Sequence, residues 1–155
     1  MLNQEDIKKI KETAEEFFEK MTIDVLKLEV NSSGDIDVVD LDIKLEEPQI
    51  LIGEHGQTLF ELQRLLKTVL NKKLQKIFYL NLDINEYKKK KIEYLKDLAK
   101  DLADEVALNK EEKVLFPMPA YERRIIHTEL SQRKDIITES QGEGQDRHIV
   151  IKPAD

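Results

Sequence analysis

Apolar residues recur at steps of three and four near the start of the chain: Ile7, Ile10, Ala14, Phe17, Phe18 and Met21, with Lys and Glu between them. That spacing predicts an amphipathic helix over residues 1–20. Alternation then takes over. Leu26, Leu28 and Val30 alternate with Lys27 and Glu29, and Val39, Leu41, Ile43 and Leu45 alternate with Asp40, Asp42 and Lys44. Two strands follow from this, joined as a hairpin through the turn residues 31–35, Asn-Ser-Ser-Gly-Asp. The adjacent apolar pairs Val25-Leu26 and Val38-Val39 shift the phase, which paired bulges or a strong twist would explain. Beyond Pro48 come a short helix, the segment Gly53-Glu54-His55-Gly56, and a longer helix. One face of that longer helix carries Leu59, Leu62, Leu65, Leu66, Val69 and Leu70. A strand over residues 76–84 places Phe78, Leu80, Leu82 and Ile84 together.

The second half repeats the change of period. Asn85 is a suitable N-cap for a helix, and Tyr87 and Ile92 lead into a stripe of Leu95, Leu98, Ala99, Leu102, Ala103 and Val106. Residues 114–116 read as a strand. Residues 115–130, LFPMPAYERRIIHTEL, combine an extended double-proline lead-in with helical spacing, which puts Tyr121, Ile125, Ile126 and Leu130 on the packed side. Residues 136–138 and 148–151 read as two strands, with Gln141-Gly142-Glu143-Gly144 at the turn between them. The fold class is therefore α+β in two small domains, residues 1–84 and residues 85–155.

Composition narrows the partners. The 155 residues are 40% hydrophobic and 37% charged, enough apolar content for a core, and the formal charge is −7. That balance argues against gripping nucleic acid by bulk positive charge. The charge is uneven: residues 1–84 hold 11 Lys and Arg against 17 Asp and Glu, a net of −6, whereas residues 85–155 hold 14 against 15, a net of −1. A nucleic-acid contact should be local and lie in the second half. No cysteine is present, so no disulfide framework or thiolate zinc site is expected. No apolar run reaches the length of a membrane span or a signal peptide, so a cytoplasmic protein without membrane insertion is expected.

Candidate chemistry centres on Arg123 and His127. Four positions apart on a helix, they are neighbours on one face and both can donate hydrogen bonds to phosphate. An ordinary amphipathic helix with an exposed Arg-His pair would show the same spacing. Arg124 and Thr128 form the adjacent pair. The lysines at residues 88–91 surround their helix and read as a solvated first turn, although cations there oppose the helix dipole and a phosphate would offset them. Glycines at 53 and 56 would let a sugar-phosphate chain approach the amides of the following helix. His55, His127 and His148 lack metal-ligand spacing, and no nucleophile-elbow or Walker-type motif occurs. Neither an enzyme nor a cofactor is expected.

The order helix, strand, strand, helix, Gly-x-x-Gly, helix, strand, with GEHG between the helices, resembles a KH domain of the type II (bacterial) arrangement. Such domains hold about four nucleotides of a single strand, the loop clamping the backbone. Gly53, His55 and Gly56 would be the contacts, together with Lys88. Here Glu54 and His55 occupy middle positions that commonly include Lys or Arg. The run PMPAYERRIIHTEL followed by TESQGEGQDRHIVI is similar to the R-3-H domain, named for its Arg-x-x-x-His signature and expected here as helix, strand, helix, strand, strand. A KH domain followed by an R-3-H domain resembles the bacterial Jag (SpoIIIJ-associated, KhpB) family, from about Asp24 to Pro153. The resemblance implies Arg123 and His127 as the signature pair, with Arg124, Thr138, Ser140, Gly142 and Arg147 at other typical positions. It implies a non-catalytic protein that binds single-stranded RNA, with single-stranded DNA as a competing ligand. The role it implies is that of an RNA chaperone or post-transcriptional regulator linked to cell shape and cell-wall homeostasis, working with a second small KH protein. Many Jag proteins carry a further N-terminal domain; only the helix of residues 1–20 stands ahead of the KH-like core in this sequence. The other reading is a protein-interaction or self-dimerisation module with a degenerate loop and little RNA affinity.

Overall fold

The computed structural model describes residues 2–33 and 37–155. They form two compact units, residues 1–88 and residues 89–155. Together the units are a mixed α+β chain with two small sheets.

The first unit runs α1 (Gln4–Lys20), β1 (Lys27–Ser33), β2 (Val38–Lys44), α2 (Gln49–Ile52), a 3-10 turn (Glu54–Gly56), α3 (Gln57–Leu74) and β3 (Tyr79–Ile84). This is the element order expected. Helix α1 opens with a capping box: the Asn3 side chain accepts from the Asp6 amide, and the Asp6 carboxylate accepts from the Asn3 amide, both at 2.8 Å. Strand β2 is central. It pairs antiparallel with β1 and parallel with β3, and a parallel pair needs the crossover that α2, the glycine turn and α3 supply. Ile10, Ala14 and Phe18 of α1 share one core with Val39, Leu41 and Ile43 of β2, Leu59, Leu66 and Leu70 of α3, and Leu80, Leu82 and Ile84 of β3.

Several expectations need correction. The β1–β2 register runs without interruption from Lys27↔Lys44 to Ser33↔Val38, so the apolar doublets mark no bulge. Leu26 lies outside β1 and is exposed, and residues 31–33 continue the strand rather than opening a turn. Gly34 and Asp35 of the expected turn lie outside the described residues. On α3, Leu65 and Val69 are exposed, because a helix packed against one sheet face buries a narrower stripe than six positions.

Asn85 does not cap a helix. Its backbone turns left-handed at φ 51°, an asparagine-tolerant conformation, and its side chain clamps Leu45. Oδ1 accepts from the Leu45 amide at 2.8 Å while Nδ2 donates to the Leu45 carbonyl at 2.9 Å. Asp83 does the capping: Oδ1 accepts from the amides of Ile84 (2.8 Å) and Lys88 (3.1 Å).

The second unit holds most of α4 (Tyr87–Asn109), then β4 (Lys113–Val114), α5 (Ala120–Leu130), β5 (Ile136–Gln141), a 3-10 turn (Gly144–Asp146) and β6 (His148–Pro153). Its sheet is antiparallel in the order β4-β6-β5. Leu95, Ala99, Ala103 and Val106 of α4 pack with Leu115, Met118, Ile126, Leu130, Ile136, Ile149 and Ile151. Ile92, expected to lead into the stripe, is exposed, and Leu98, expected within it, is only half-buried. The predicted strand 114–116 shortens to two residues, since Pro117 cannot donate to a ladder. Arg133, just past α5, reaches both Asp104 on α4 and Asp135 ahead of β5. Among the described residues no helix is long and apolar enough to cross a membrane.

Replacing Asn85 by Ala removes both bonds to Leu45 and leaves a part-buried amide and carbonyl to find other partners. A stability loss of about 1–3 kcal/mol is expected, read as a lower urea midpoint. An unchanged midpoint would mean that water replaces the clamp at no cost.

Candidate nucleic-acid interface

Pro117 and Pro119 have no amide hydrogens, so Met118 carries the one backbone donor between them. That amide donates to the Arg147 carbonyl at 3.1 Å, extending the contact between this segment and the start of β6. The Met118 carbonyl in turn accepts from Arg123 Nη1 at 2.6 Å. Pro119 is extended (φ −60°, ψ 159°), and its carbonyl accepts from the Arg123 amide at 3.1 Å as α5 begins. Arg147 Nη1 donates to the Gly142 carbonyl at 3.0 Å. Gly142 sits at φ 81°, and a Cβ there would lie 2.7 Å from the Asp146 carbonyl oxygen, so the turn requires glycine. Two arginines 24 positions apart in sequence are thus tied to one backbone residue, Arg123 by its side chain and Arg147 by its carbonyl.

One turn further along α5, His127 Nδ1 hydrogen-bonds Thr138 Oγ1 of β5 at 2.7 Å. The bond fixes the ring and leaves its other nitrogen for a ligand. Burial, and then the Arg123 charge, hold the imidazole below its ordinary 6.5, so it is neutral at pH 7. Ser140 lies two positions beyond Thr138 on the same strand face, with Oγ buried and without a hydrogen-bond partner among the described residues. Arg124 is exposed. The structure therefore brings the Arg123 guanidinium and the Arg147 carbonyl together at Met118 and His127 to Thr138, while the Arg147 guanidinium turns to Gly142 and Arg124 lies on the exposed flank of α5.

In the first unit the GEHG segment is built by two glycines. Gly53 adopts φ 72°, ψ −177°, and a Cβ there would meet Thr58 Oγ1 at 2.2 Å. Gly56 adopts φ 74°, and its Cβ would strike the Tyr87 ring at 2.7 Å. Between them His55 is also left-handed at φ 51°. Lys88 is not a solvated lysine. Its ammonium donates to Gln63 Oε1 at 2.7 Å and Asn81 Oδ1 at 2.8 Å and lies 5.2 Å over the Phe60 ring. Burial pushes its pKa below the ordinary lysine value.

Periodicity does not reveal several contributors. Glu122 is buried, and its carboxylate accepts from the Tyr121 hydroxyl at 3.1 Å and faces Lys91 at 3.6 Å. The lysine run thus divides, with Lys88 and Lys91 engaged and Lys89 and Lys90 exposed. Gln63 Oε1 also accepts from the Leu82 amide at 2.9 Å, which shields the outer edge of β3. Phe116, read from the sequence as the end of a strand, is 87% exposed. The Pro-x-Pro pattern is the available signal for the role of Met118; nothing local in the sequence signals the others.

Residues 93–153 match the family model for the R-3-H domain, so the second unit contains an R-3-H domain. The chain is also 36% identical over 146 residues to RNA-binding protein KhpB of Clostridium symbiosum, covering 92% of this chain and 65% of that protein. The KhpB proteins of Bacillus subtilis (42% over 108 residues) and of Streptococcus pneumoniae strain D39 (30% over 131 residues) match 68% and 83% of the chain. Over most of its length the chain is thus similar to proteins of the KhpB (Jag) family. It spans 65%, 52% and 40% of the lengths of these three relatives.

Because Gly53 occupies a backbone region essentially closed to other residues, Gly53→Ala should lower stability by about 1–3 kcal/mol from strain, with the Thr58 clash in addition. The double variant Gly53→Ala/Thr58→Ala should recover only the steric part. Thermal unfolding of the three chains distinguishes the two components; wild-type stability in the single variant would refute both.

Proposed function

We propose that this chain binds single-stranded RNA without catalysis, and that the R-3-H unit supplies the principal contact through Arg123, His127 and Arg147. The observation that carries this reading is the Arg123 guanidinium held by the Met118 carbonyl, one helical turn from a histidine held by Thr138, with Arg147 joined to the same Met118 through its backbone. Guanidinium groups offer forked donors that suit phosphate oxygens, and a fixed imidazole adds a directional donor. Arg124, Thr138 and Ser140 complete the proposed contact. The relatives' name, RNA-binding protein KhpB, supports RNA as the ligand.

Charge argues for the same half of the chain. Across the first unit's sheet, Glu29, Asp42 and Asp83 stand opposite one another in register. Burial, then the neighbouring Asp83 and Asp40 charges, push the Asp42 carboxyl above its ordinary value. Such a face repels phosphate. The KH-like unit, proposed here as residues 1–84 with the R-3-H domain as residues 85–155, serves as a weaker second contact through Gly53, His55 and Gly56. Glu54 limits it, and Lys88 must exchange its internal partners to take part.

A second reading draws on Ile77 and Tyr79, which are 89% and 69% exposed in the connection between α3 and β3 and at the start of β3. In it, the first unit is a protein contact, toward a second copy or another small KH protein. Light scattering separates the two readings: a tight dimer with no retained RNA favours the second.

Replacing Arg123 and His127 together by Ala should weaken binding of a short single-stranded RNA by about tenfold or more while the circular dichroism spectrum stays native. Unchanged affinity would overturn the assignment. The salt dependence should be shallow, because few cations displace counterions. For His127 the sign of the pH effect differs with and without ligand. In the free protein the lowered pKa means that stability is full above the unfolded value of 6.5, and it falls as pH drops through 6.5 toward the lowered folded value. Phosphate favours the imidazolium, so RNA affinity should rise by about threefold or more between about pH 7.5 and 5.5. His127→Gln should flatten both profiles relative to the parent chain; persistence of both would exclude this residue as the titrating group.

A further inference from the structure

The bond from the Leu115 amide to the Ile149 carbonyl, 2.9 Å, carries the β4–β6 pairing one residue past Val114. In that extended register Phe116 comes opposite His148, and His148 is paired across β5 with Gln141. Leu115 and Ile149 point into the core, so the intervening residues Phe116 and His148 belong to the outer face of the sheet. Phe116 is 87% exposed there, two residues from Met118, to which Arg123 and Arg147 are tied. The His148 ring is oriented: Nδ1 lies 2.8 Å from the Asp146 carbonyl, which can only accept, so Nδ1 carries the hydrogen. In the neutral ring Nε2 is then an acceptor. An exposed aromatic, an oriented imidazole and an amide thus form one row on the sheet face opposite α5, with Phe116 on the edge strand two residues before Met118.

We propose that Phe116, with His148 and Gln141 beside it, is a base-stacking platform of the R-3-H unit. A single strand whose phosphates lie on Arg123 rounds the sheet edge at the Pro117–Pro119 segment and lays a base on the Phe116 ring. The chemistry is that of single-strand recognition in general: cations follow the backbone, and flat side chains take the unpaired bases regardless of sequence. His148 Nε2 and the Gln141 amide supply polar groups for the edge of the stacked base. The proposal rests on the RNA-binding reading and adds the bases to what that reading assigns to phosphates.

The chain contains no tryptophan, so Phe116→Trp installs a single reporter at the platform. Two labelled probes of equal length and charge test the proposal: a short oligoadenylate and its abasic ribose-phosphate counterpart. Oligoadenylate should quench the emission of the introduced indole, and the abasic probe should not. Phe116→Ala should weaken oligoadenylate binding by about tenfold, as expected for one stacked base, and leave abasic binding and the salt dependence unchanged. Wild-type oligoadenylate affinity in Phe116→Ala, or unquenched emission when anisotropy reports binding, overturns the platform. If Arg123→Ala/His127→Ala loses binding in the same series, the RNA-binding reading stands without it. Failure of the parent chain to bind either probe overturns both. Loss of self-association in Phe116→Ala, with RNA affinity intact, assigns the ring to a protein contact and overturns the platform.

Discussion

Met118 is the residue on which the geometry of the R-3-H unit depends. Proline on either side removes every neighbouring donor, so one amide and one carbonyl must connect three elements: the lead-in to α5, the start of β6 and the Arg123 side chain. The constraint is directional. With φ fixed at about −65° by both proline rings, the segment stays extended and delivers Ala120 to the first turn of α5. Arg123 is therefore both a cation and a brace, and its interaction with the Met118 carbonyl is short because the donor is charged. Phosphate would have to engage a guanidinium whose orientation is already set.

The same economy of charge applies elsewhere. A chain of net charge −7 cannot attract a polyanion as a whole, so its useful cations must be few and well placed. Internal structure uses several of the others. Lys88 is enclosed by Gln63, Asn81 and Phe60, Lys91 faces a buried glutamate, and Arg133 joins Asp104 to Asp135. The Arg133 guanidinium holds the Asp135 carboxyl down to about 2. Counting basic residues in the second half therefore overstates what is available to a ligand, and the four-lysine run is the clearest instance.

Element order is legible in the sequence because it rests on periodicity, which is local. Val39, Leu41, Ile43 and Leu45 alternate cleanly and are all buried. What the sequence hides depends on partners distant along the chain. Asn85 has the look of a cap because caps are short polar residues before a helix; Leu45, 40 positions away, decides otherwise. Leu65 and Val69 fit a buried stripe because composition does not reveal how wide a stripe the sheet covers. The spacing of Arg123 and His127 points to one helix face, but not to Thr138 on β5 or to the Met118 carbonyl. Phe116 misleads for a similar reason: a short apolar run suggests a strand, but not whether anything covers each of its faces.

Geometry and charge are assigned to different residues in the GEHG segment. Its shape is held by Gly53 against Thr58 and by Gly56 against Tyr87, whereas its electrostatic character is set by Glu54 and His55. The two properties can therefore drift apart. Substitutions at 54 that alter the sign of the loop need not disturb the crossover between β2 and β3, so phosphate affinity could be lost or regained in a lineage while the fold persists. Loop shape in such a segment is a poor witness to nucleic-acid contact, and the identity of the two residues between the glycines is the better one.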